Sequence, residues 1–502
     1  MRTFKYIMLS AAMCGLALLQ SCYEDKGNYD YKDIGEIVIE QPQDVPASKT
    51  MQSAMQEDSL IVVPVLKLNH VTEADLDFLW DMAIANSKNP QFTELSRSRD
   101  LKIICKAEAN KYDLRLQVTD KNTGVSTYAY YSLVVTSVTT RCLLLLCKAD
   151  GGQFDLSSCP IQTSRGVVGK DLYSARNGSR LTDVNKLVYW NNLRGEQFLW
   201  GFQSNGGVTL SPFDLTYHGD AKEWFFETPA VIQPTNIYGD VNGNDYFFLS
   251  AGGLYYLDNA LTPPFKARPR ERVADDLNYY IKAAANVGVR KVRRYAFWDE
   301  LNGRFLQWDY NNKALIPFAA PDLTANPKSF NPNNMKGYTP LFLGDGIDKT
   351  SYSFFKGPDG RVHMFCFTGT GSNILPGEHR VLDASIELDK ADCIWAHRLY
   401  NMIYYAIDNV IYVFEPASPI GAHRAIYTDP DNNMRFKELF SYDSYETKLY
   451  AAGNSGSNGY VYRLYLEASG DLTQPTSDQP NVVEKEGPFR EIVDMEYLLK
   501  DY

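Results

Sequence analysis

The chain has 502 residues, of which 44% are hydrophobic, 13% aromatic and 22% charged. These proportions resemble those of soluble globular proteins and argue against a long disordered chain, a collagen-like repeat or a protein with many membrane spans. The net charge of −11 disfavours nucleic acid as a partner, because phosphate binding needs a clustered positive surface. The 34 Tyr and 25 Phe residues favour a strand-rich, all-β fold.

The N-terminus has the pattern of an export signal. Arg2 and Lys5 are followed by an apolar run, residues 6–19, which is too short to span a membrane and is typical of a signal peptide. The run ends in Leu19-Gln-Ser-Cys22, which resembles a bacterial lipobox. We therefore predict a signal peptide over residues 1–21 and lipid attachment at Cys22, so that the lipid tethers the mature protein to a membrane. An ordinary signal peptide with an incidental cysteine is the alternative.

An acidic, tyrosine-rich segment, residues 22–34, follows as the predicted tether. Glu24 and Asp25 resemble the signal that sends lipoproteins of Bacteroidota to the outer face of the outer membrane, and the string from Cys22 to Asp33 resembles the mature N-terminus of PKD-like lipoproteins of that phylum. This resemblance implies a small PKD domain, a large β-rich region and a TonB-dependent importer with its lid lipoprotein as partners. It supplies no catalytic motif.

Residues 35–138 alternate between apolar and polar positions. The clearest pattern is a hairpin, residues 112–119 and 126–135, around an Asn-Thr-Gly turn. Further candidate strands cover residues 37–39, 60–68 and 77–80. We predict a PKD or immunoglobulin-like β-sandwich, interpreted as a rigid spacer, with a ligand-binding sandwich as the alternative.

Aromatic hairpins recur through residues 139–502. They lie at residues 142–154, 187–203, 245–258, 295–308, 352–367, 402–415 and 448–466. The last five begin 50, 57, 50 and 46 residues apart, and a recurring unit near this length, worth about four strands, is typical of a β-propeller. We predict about seven blades, with six or eight as alternatives, and a closing strand within residues 489–499.

A basic stretch interrupts the acidic background. Between Lys266 and Arg294 the sequence has nine basic and three acidic residues, with a predicted short helix over residues 275–287. Such a patch could steer an anionic glycan, peptide or metal chelate, and a solvated loop is the alternative. The candidate ligand-binding residues are Arg268, Arg270, Arg272, Arg290, Arg293 and Arg294.

The motif search gives no catalytic residue, no metal ligands and no cofactor. No His-Glu-x-x-His occurs, and a glycosidase-type carboxylate pair stays open because such pairs meet only in space. The sequence therefore favours a non-catalytic outer-membrane surface lipoprotein that captures a nutrient, or docks on an importer, in TonB-dependent import. The alternative is a surface-tethered propeller hydrolase or lyase acting on a polysaccharide or peptide.

Overall fold

The structure is a computed structural model that describes most of residues 35–498. The undescribed residues within that range are 41–49, 56–58, 109, 137–138, 140, 162–167, 192–195, 226, 240–244, 259–277, 290–291, 310–311, 346–349, 371–372, 398, 419–422, 442–446 and 478. The chain divides into two compact units, Met1–Val135 and Thr136–Tyr502. Across the described ranges, no helix has the length and apolar character needed to cross a membrane.

Among its described residues the N-terminal unit has three small sheets, in the orders β2-β9-β8-β5-β6, β1-β4 and β3-β7. The strands are β1 (Glu36–Glu40), β2 (Thr50–Met55), β3 (Ser59–Val62), β4 (Val65–Asn69), β5 (Leu76–Ile84), β6 (Thr93–Ser96), β7 (Leu101–Ile104), β8 (Asn110–Asp120) and β9 (Ser126–Thr136). A 3-10 helix, Glu73–Asp75, precedes β5.

The predicted hairpin of this unit is confirmed as β8 and β9. Its turn is fixed by Asp120, whose carboxylate accepts hydrogen bonds from the Asn122 amide and the Thr123 hydroxyl. The single strand predicted over residues 60–68 is wrong, because β3 ends before Pro64 and β4 begins after it. Proline has no N–H to donate to a sheet and therefore separates the two strands.

The second unit contains seven antiparallel sheets among its described residues, which we number as blades in chain order. Blade 1 has β10 (Cys142–Lys148), β11 (Gln153–Pro160), β12 (Leu181–Thr182) and β36 (Ile492–Leu498); blade 2 has β13 (Val184–Asn191), β14 (Gln197–Gln203), β15 (Gly206–Leu210) and β16 (Tyr217–Asp220); blade 3 has β17 (Pro234–Tyr238), β18 (Asp245–Ser250) and β19 (Gly253–Asp258); blade 4 has β20 (Ile281–Val289), β21 (Val292–Asp299), β22 (Arg304–Asp309) and β23 (Ala314–Pro317). Blade 5 has β24 (Thr339–Asp345), β25 (Thr350–Lys356), β26 (Val362–Thr370) and β27 (Asn373–Val381); blade 6 has β28 (Cys393–His397), β29 (Met402–Ile407), β30 (Val410–Phe414) and β31 (Arg424–Thr428); blade 7 has β32 (Met434–Phe440), β33 (Lys448–Ser455), β34 (Asn458–Tyr465) and β35 (Val483–Arg490). The short helices are α1 (Leu172–Asn177) and the 3-10 turns Asp150–Gly152, Ala221–Trp224 and Leu388–Lys390.

The hydrophobic cores lie between blades and close the set into a ring. Seven clusters each join two consecutive blades, and one of them joins blade 7 back to blade 1. In β10, Leu144 and Leu146 pack towards blade 2, whereas Leu143 and Leu145 pack towards blade 7. A strand buried on both faces explains the uninterrupted leucine run. The predicted seven-bladed β-propeller is confirmed.

The last strand closes the ring. β36 pairs with β10 in antiparallel register, with Leu145 opposite Met495. The predicted closing strand is therefore confirmed, and blade 1 combines the first strands of the propeller with its last strand.

The helix predicted over residues 275–287 is wrong for the part that the structure describes. Residues 281–289 form β20, which pairs with β21. Three consecutive alanines, 283–285, favour a helix locally, but Ala284 and Ala285 are buried in the cores on either side of blade 4. Tertiary packing overrides this local propensity.

Candidate functional site

A cavity of about 490 Å³ lies at the centre of the propeller. Its lining comes mainly from β13, β17, β20, β24, β28, β32 and β36, one edge strand from each blade, and Tyr295 of β21 adds to it. These seven strands are therefore the innermost strands of their blades, and the cavity is the central channel. Its volume is in the range of small-molecule sites, roughly 300–1,000 Å³.

The inner strands share a backbone irregularity. In six of the seven sheets among the described residues, the pairing of the inner strand with its neighbour shifts by one residue. A bulge of this kind re-aims the side chains beside it. The residues that follow the shift are Lys186, Asn236, Ala283, Phe342, Glu438 and Asp494. Four of these six side chains are polar, and all four line the channel.

Three carboxyl groups connect neighbouring inner strands. Glu438 of blade 7 accepts a hydrogen bond from the backbone N–H of Met495 in blade 1, at 3.0 Å. Asp494 of blade 1 accepts the N–H of Leu187 in blade 2, at 2.5 Å. Inner strands are edge strands, and an edge leaves backbone N–H groups without a strand partner. The carboxyl groups supply acceptors for these donors.

A third carboxyl group, Glu496, repeats the arrangement of Asp494 two residues further along β36. It accepts backbone hydrogen bonds from Tyr497 and from Tyr189 of blade 2. Side chains two residues apart in a strand lie on the same face, so Asp494 and Glu496 both face the edge of β13.

The environment disfavours ionisation of two of these groups. Burial raises the pKa of Glu438 well above its usual range. The negative charge of Asp494 and the hydrogen bond between the Glu438 and Asp494 side chains raise the pKa of Glu438 further. Burial, followed by the charge of Asp494, raises the pKa of Glu496 to about 8. The positive charge of Lys186 opposes both shifts but is the smaller effect. At neutral pH Glu496 therefore holds a proton most of the time, and the charged form of Glu438 is disfavoured.

The two channel lysines are directed to different partners. Lys186 Nζ donates to Asn236 Oδ1 at 3.4 Å, which joins the inner strands of blades 2 and 3. Lys437 Nζ lies 3.6 Å from a carboxylate oxygen of Asp392, at an exposed position. Lys437 is therefore neutralised by a carboxylate that does not line the channel.

Aromatic side chains form a second part of the lining. Trp395 lies beside Phe440, with ring centroids 5.1 Å apart, and its indole N–H donates to the Ser441 hydroxyl at 2.8 Å. Tyr189, Tyr238 and Phe342 also line the cavity. Phe440 is two residues from Glu438 on β32, so this pair of rings adjoins the carboxyl groups.

One buried acceptor in the channel has no donor. Asn286 of β20 lines the cavity and is only 8% exposed. Its Oδ1 atom accepts no hydrogen bond from any described residue. Buried polar atoms in native proteins are nearly always paired, so this carbonyl oxygen points to a donor that is supplied from elsewhere.

Of the sequence-predicted site residues, those that the structure describes do not line this channel. Cys22, Glu24 and Asp25 lie outside the described residues, as do Arg268, Arg270, Arg272 and Arg290. Arg293 and Arg294 lie in β21, which is not an inner strand. Anion capture by the basic stretch therefore stays a prediction. Among the described residues, no three His, Cys, Asp or Glu side chains are grouped to hold a metal ion.

Comparison with known proteins shows which family the N-terminal region resembles. The model of the PKD-like family matches residues 22–184. This region is PKD-like. The match covers the predicted tether, the N-terminal unit and the chain up to the start of β13. No curated protein matches the chain.

Solved structures resemble the chain only distantly. A quinonprotein alcohol dehydrogenase-like protein from Bacteroides thetaiotaomicron has 10% identity and a TM-score of 0.42, over 90% of this chain and 97% of that chain. The WD40 domain of SCAP from fission yeast has 10% identity and a TM-score of 0.32, over 63% of this chain and 74% of that chain. The propeller assignment therefore depends on the seven sheets and seven inter-blade cores that the structure describes in this chain.

Proposed function

We propose that this PKD-like protein is a non-catalytic lipoprotein on the outer face of the outer membrane, where it captures a nutrient for a TonB-dependent importer. The central cavity carries the proposal. It combines aromatic faces with convergent polar groups, which is the usual character of a small-molecule site. The lipobox at Cys22 and the acidic pair Glu24 and Asp25 support the location.

The importer and its lid lipoprotein are proposed as partners on the resemblance of the tether to PKD-like lipoproteins. The match over residues 22–184 supports that resemblance. In this proposal the N-terminal unit is a spacer and the propeller holds the ligand.

The experiment that tests capture is recovery of the bound ligand. The full chain, purified in detergent, is incubated with a protein digest or a polysaccharide hydrolysate, washed, and analysed by native mass spectrometry. We expect an intact ligand bound to the wild type and little bound to Trp395→Leu. Tyr217→Leu is the matched control, because Tyr217 is an exposed ring outside the channel. Equal retention by both variants, or no retained compound from any mixture, would contradict capture in the channel.

A surface hydrolase or lyase is the second candidate. It is favoured by Glu438, whose pKa is raised and which lies beside Asp494. When two neighbouring carboxyl groups have different pKa values, one can act as the general acid and the other as the general base. However, Glu438 and Asp494 share a hydrogen bond, whereas glycosidase carboxyl groups stand about 5 Å or more apart. Release of a cleaved product that Glu438→Gln abolishes would support this second function over capture.

A further inference from the structure

The carboxyl groups, the unpaired amide oxygen and the aromatic rings of the channel have one chemical preference in common. Glu438, Asp494 and Glu496 are acceptors when ionised, and Asn286 Oδ1 is an acceptor without a donor. The carboxyl groups already accept backbone N–H groups, so Asn286 Oδ1 is the acceptor that calls for a donor from the ligand, and the carboxyl groups add negative charge when they ionise. An anionic ligand would instead meet the three carboxyl groups together with Lys186 and Lys437, of which Lys437 is already paired with Asp392.

The aromatic pair restricts the ligand further. Trp395 and Phe440 line the same cavity as Glu438, and neither ring is fully buried. Aromatic faces attract cations, and aromatic side chains beside carboxylates are a recognised arrangement for organic ammonium groups. A bare metal ion would not need these rings, and a neutral sugar would not need three carboxyl groups.

We propose that the central channel binds a small organic ammonium ligand, with Asp494 as the counter-charge and Glu438 and Glu496 joining it as they release their protons. Trp395 and Phe440 lie against the ammonium group, and Asn286 Oδ1 accepts a further N–H or O–H of the ligand. This inference rests on the proposed capture function and names its ligand class.

Binding of a cation in this site releases protons. Glu496 holds a proton in the free channel at neutral pH, and a nearby positive charge lowers the pKa of a carboxyl group. The proton leaves the carboxyl oxygen for the buffer as the ammonium group takes its place. The titratable and charged groups around Glu496 are Lys186 and Tyr189 on β13, Asp494 on β36, and Lys437 and Glu438 on β32.

The test is calorimetry on the full chain in detergent, with charged probes and neutral partners of similar shape. Glucosamine is compared with glucose, and putrescine with 1,4-butanediol. We expect each amine to bind at least about tenfold more tightly than its neutral partner, with affinity rising between pH 6 and pH 8 and with binding heats that vary with the ionisation heat of the buffer. Glucosamine and putrescine separate an amino sugar from a linear amine as the source of the ammonium group.

Three substitutions locate the interaction. Glu496→Gln keeps an acceptor for the backbone N–H groups and is expected to weaken amine binding about tenfold and to reduce proton release. Trp395→Leu is expected to weaken amine binding, whereas Trp395→Phe restores most of it. Asn286→Leu is expected to weaken glucosamine binding with no change in proton release. Circular dichroism and thermal unfolding establish that each variant is folded.

Two results would overturn the ammonium inference. Equal affinity for an amine and its neutral partner would show that the channel binds ligands without regard to charge, and capture in the channel would stand. If neither amine binds, the channel does not bind organic ammonium ligands. The capture proposal is tested separately, by the ligand recovered from nutrient mixtures.

Discussion

Asp494 and Leu187 are joined across 307 positions of sequence by a hydrogen bond from the Leu187 backbone N–H to the Asp494 carboxylate, at 2.5 Å. The bond links the strand that closes the propeller to the inner strand of the next blade. Asp494 is 7% exposed, so water does not readily replace it as the acceptor. One side chain therefore takes part both in the ring closure and in the lining of the channel.

Removing this acceptor should destabilise the propeller. Asp494→Ala leaves the Leu187 N–H without its partner, and an unsatisfied buried donor costs about 1–3 kcal/mol. Asp494→Asn retains an oxygen acceptor and removes a charge that faces Glu438 and Glu496. We expect the Ala variant to unfold at lower urea concentration than the Asn variant. Indistinguishable midpoints for the two variants would show that the hydrogen bond does not contribute.

The stability of the protein should fall as the pH rises through the range where Glu496 titrates. The pKa of Glu496 is about 8, so between about pH 4.5 and 8 the folded protein holds a proton that the unfolded chain has released. The free energy of unfolding then decreases with pH, by at most about 1.4 kcal/mol per unit for one proton.

Glu496→Gln should remove part of this dependence, so that the variant gains thermal stability relative to the wild type at pH 8 but not at pH 4.5. The comparison is made by thermal unfolding at both pH values, with Glu300→Gln as an exposed control whose partner is Lys282. If the unfolding temperatures of Glu496→Gln and the wild type differ by the same amount at both pH values, the raised pKa of Glu496 is contradicted.

Arg463 should be important for the junction of blades 7 and 1. This side chain is fully buried and donates hydrogen bonds to Cys159 Sγ, at 3.0 Å, and to the Pro160 carbonyl. Its Nη1 atom lies 3.5 Å from Oε2 of Glu484. Removing one partner of a buried charged pair costs about 3–5 kcal/mol. Arg463→Met should therefore lower the urea midpoint strongly.

The matched control for Arg463 is Lys390→Met, which breaks the exposed pair of Lys390 with Glu387. An exposed pair contributes about 0–1 kcal/mol. Similar decreases of the urea midpoint in the two variants would indicate that the Arg463 guanidinium contributes no more stability than a surface ion pair does.

The lipid attachment site is predicted to be Cys22 alone. Cys22→Ala should leave a protein that a palmitate analogue does not label, because the thiol is the site of acylation. Cys14→Ala is the control, since Cys14 lies inside the apolar run and labelling should persist. Labelling of the Cys22 variant at the wild-type level would refute the lipobox prediction.

Surface display is predicted to depend on the acidic pair after Cys22. Changing Glu24 and Asp25 together to Ala should preserve lipid labelling and reduce digestion by a protease added to intact cells. Lys26→Ala is a neighbouring control that leaves the pair intact. Digestion of the double variant at the wild-type rate would show that surface display does not depend on these two residues.

The repeated hairpins could be predicted from sequence because each is an apolar strand, a turn and a second apolar strand. In the structure six of the seven lie outside the inner strand of their blade, such as β18–β19 and β25–β26, whereas residues 187–203 form β13–β14 and include the inner strand of blade 2. Both faces of these strands are covered by neighbouring blades, which produces a strong local signal. The inner strands gave a weaker signal because bulges interrupt their alternation and small or polar residues interrupt their apolar runs.

The channel site could not be predicted because its residues come from separate strands in all seven blades. Glu438 and Asp494 are 56 positions apart in the sequence and meet only once the ring is closed. One local signal was available. In the closing strand, Asp494 and Glu496 alternate with the apolar residues Val493, Met495 and Tyr497, and carboxyl groups in such a strand require specific partners.

The pairing of β10 with β36 has a consequence for biosynthesis. Leu145 lies opposite Met495, so blade 1 cannot be completed until the chain has been translated past β36, about 350 residues after β10. Until then the leucine-rich strand β10 lacks a neighbour on one edge, and an unpaired apolar edge promotes aggregation. A chain exported unfolded would have to reach its destination before its first blade could form. A chaperone that binds such an unfolded chain is therefore expected to stay longest at β10, the first strand of the propeller.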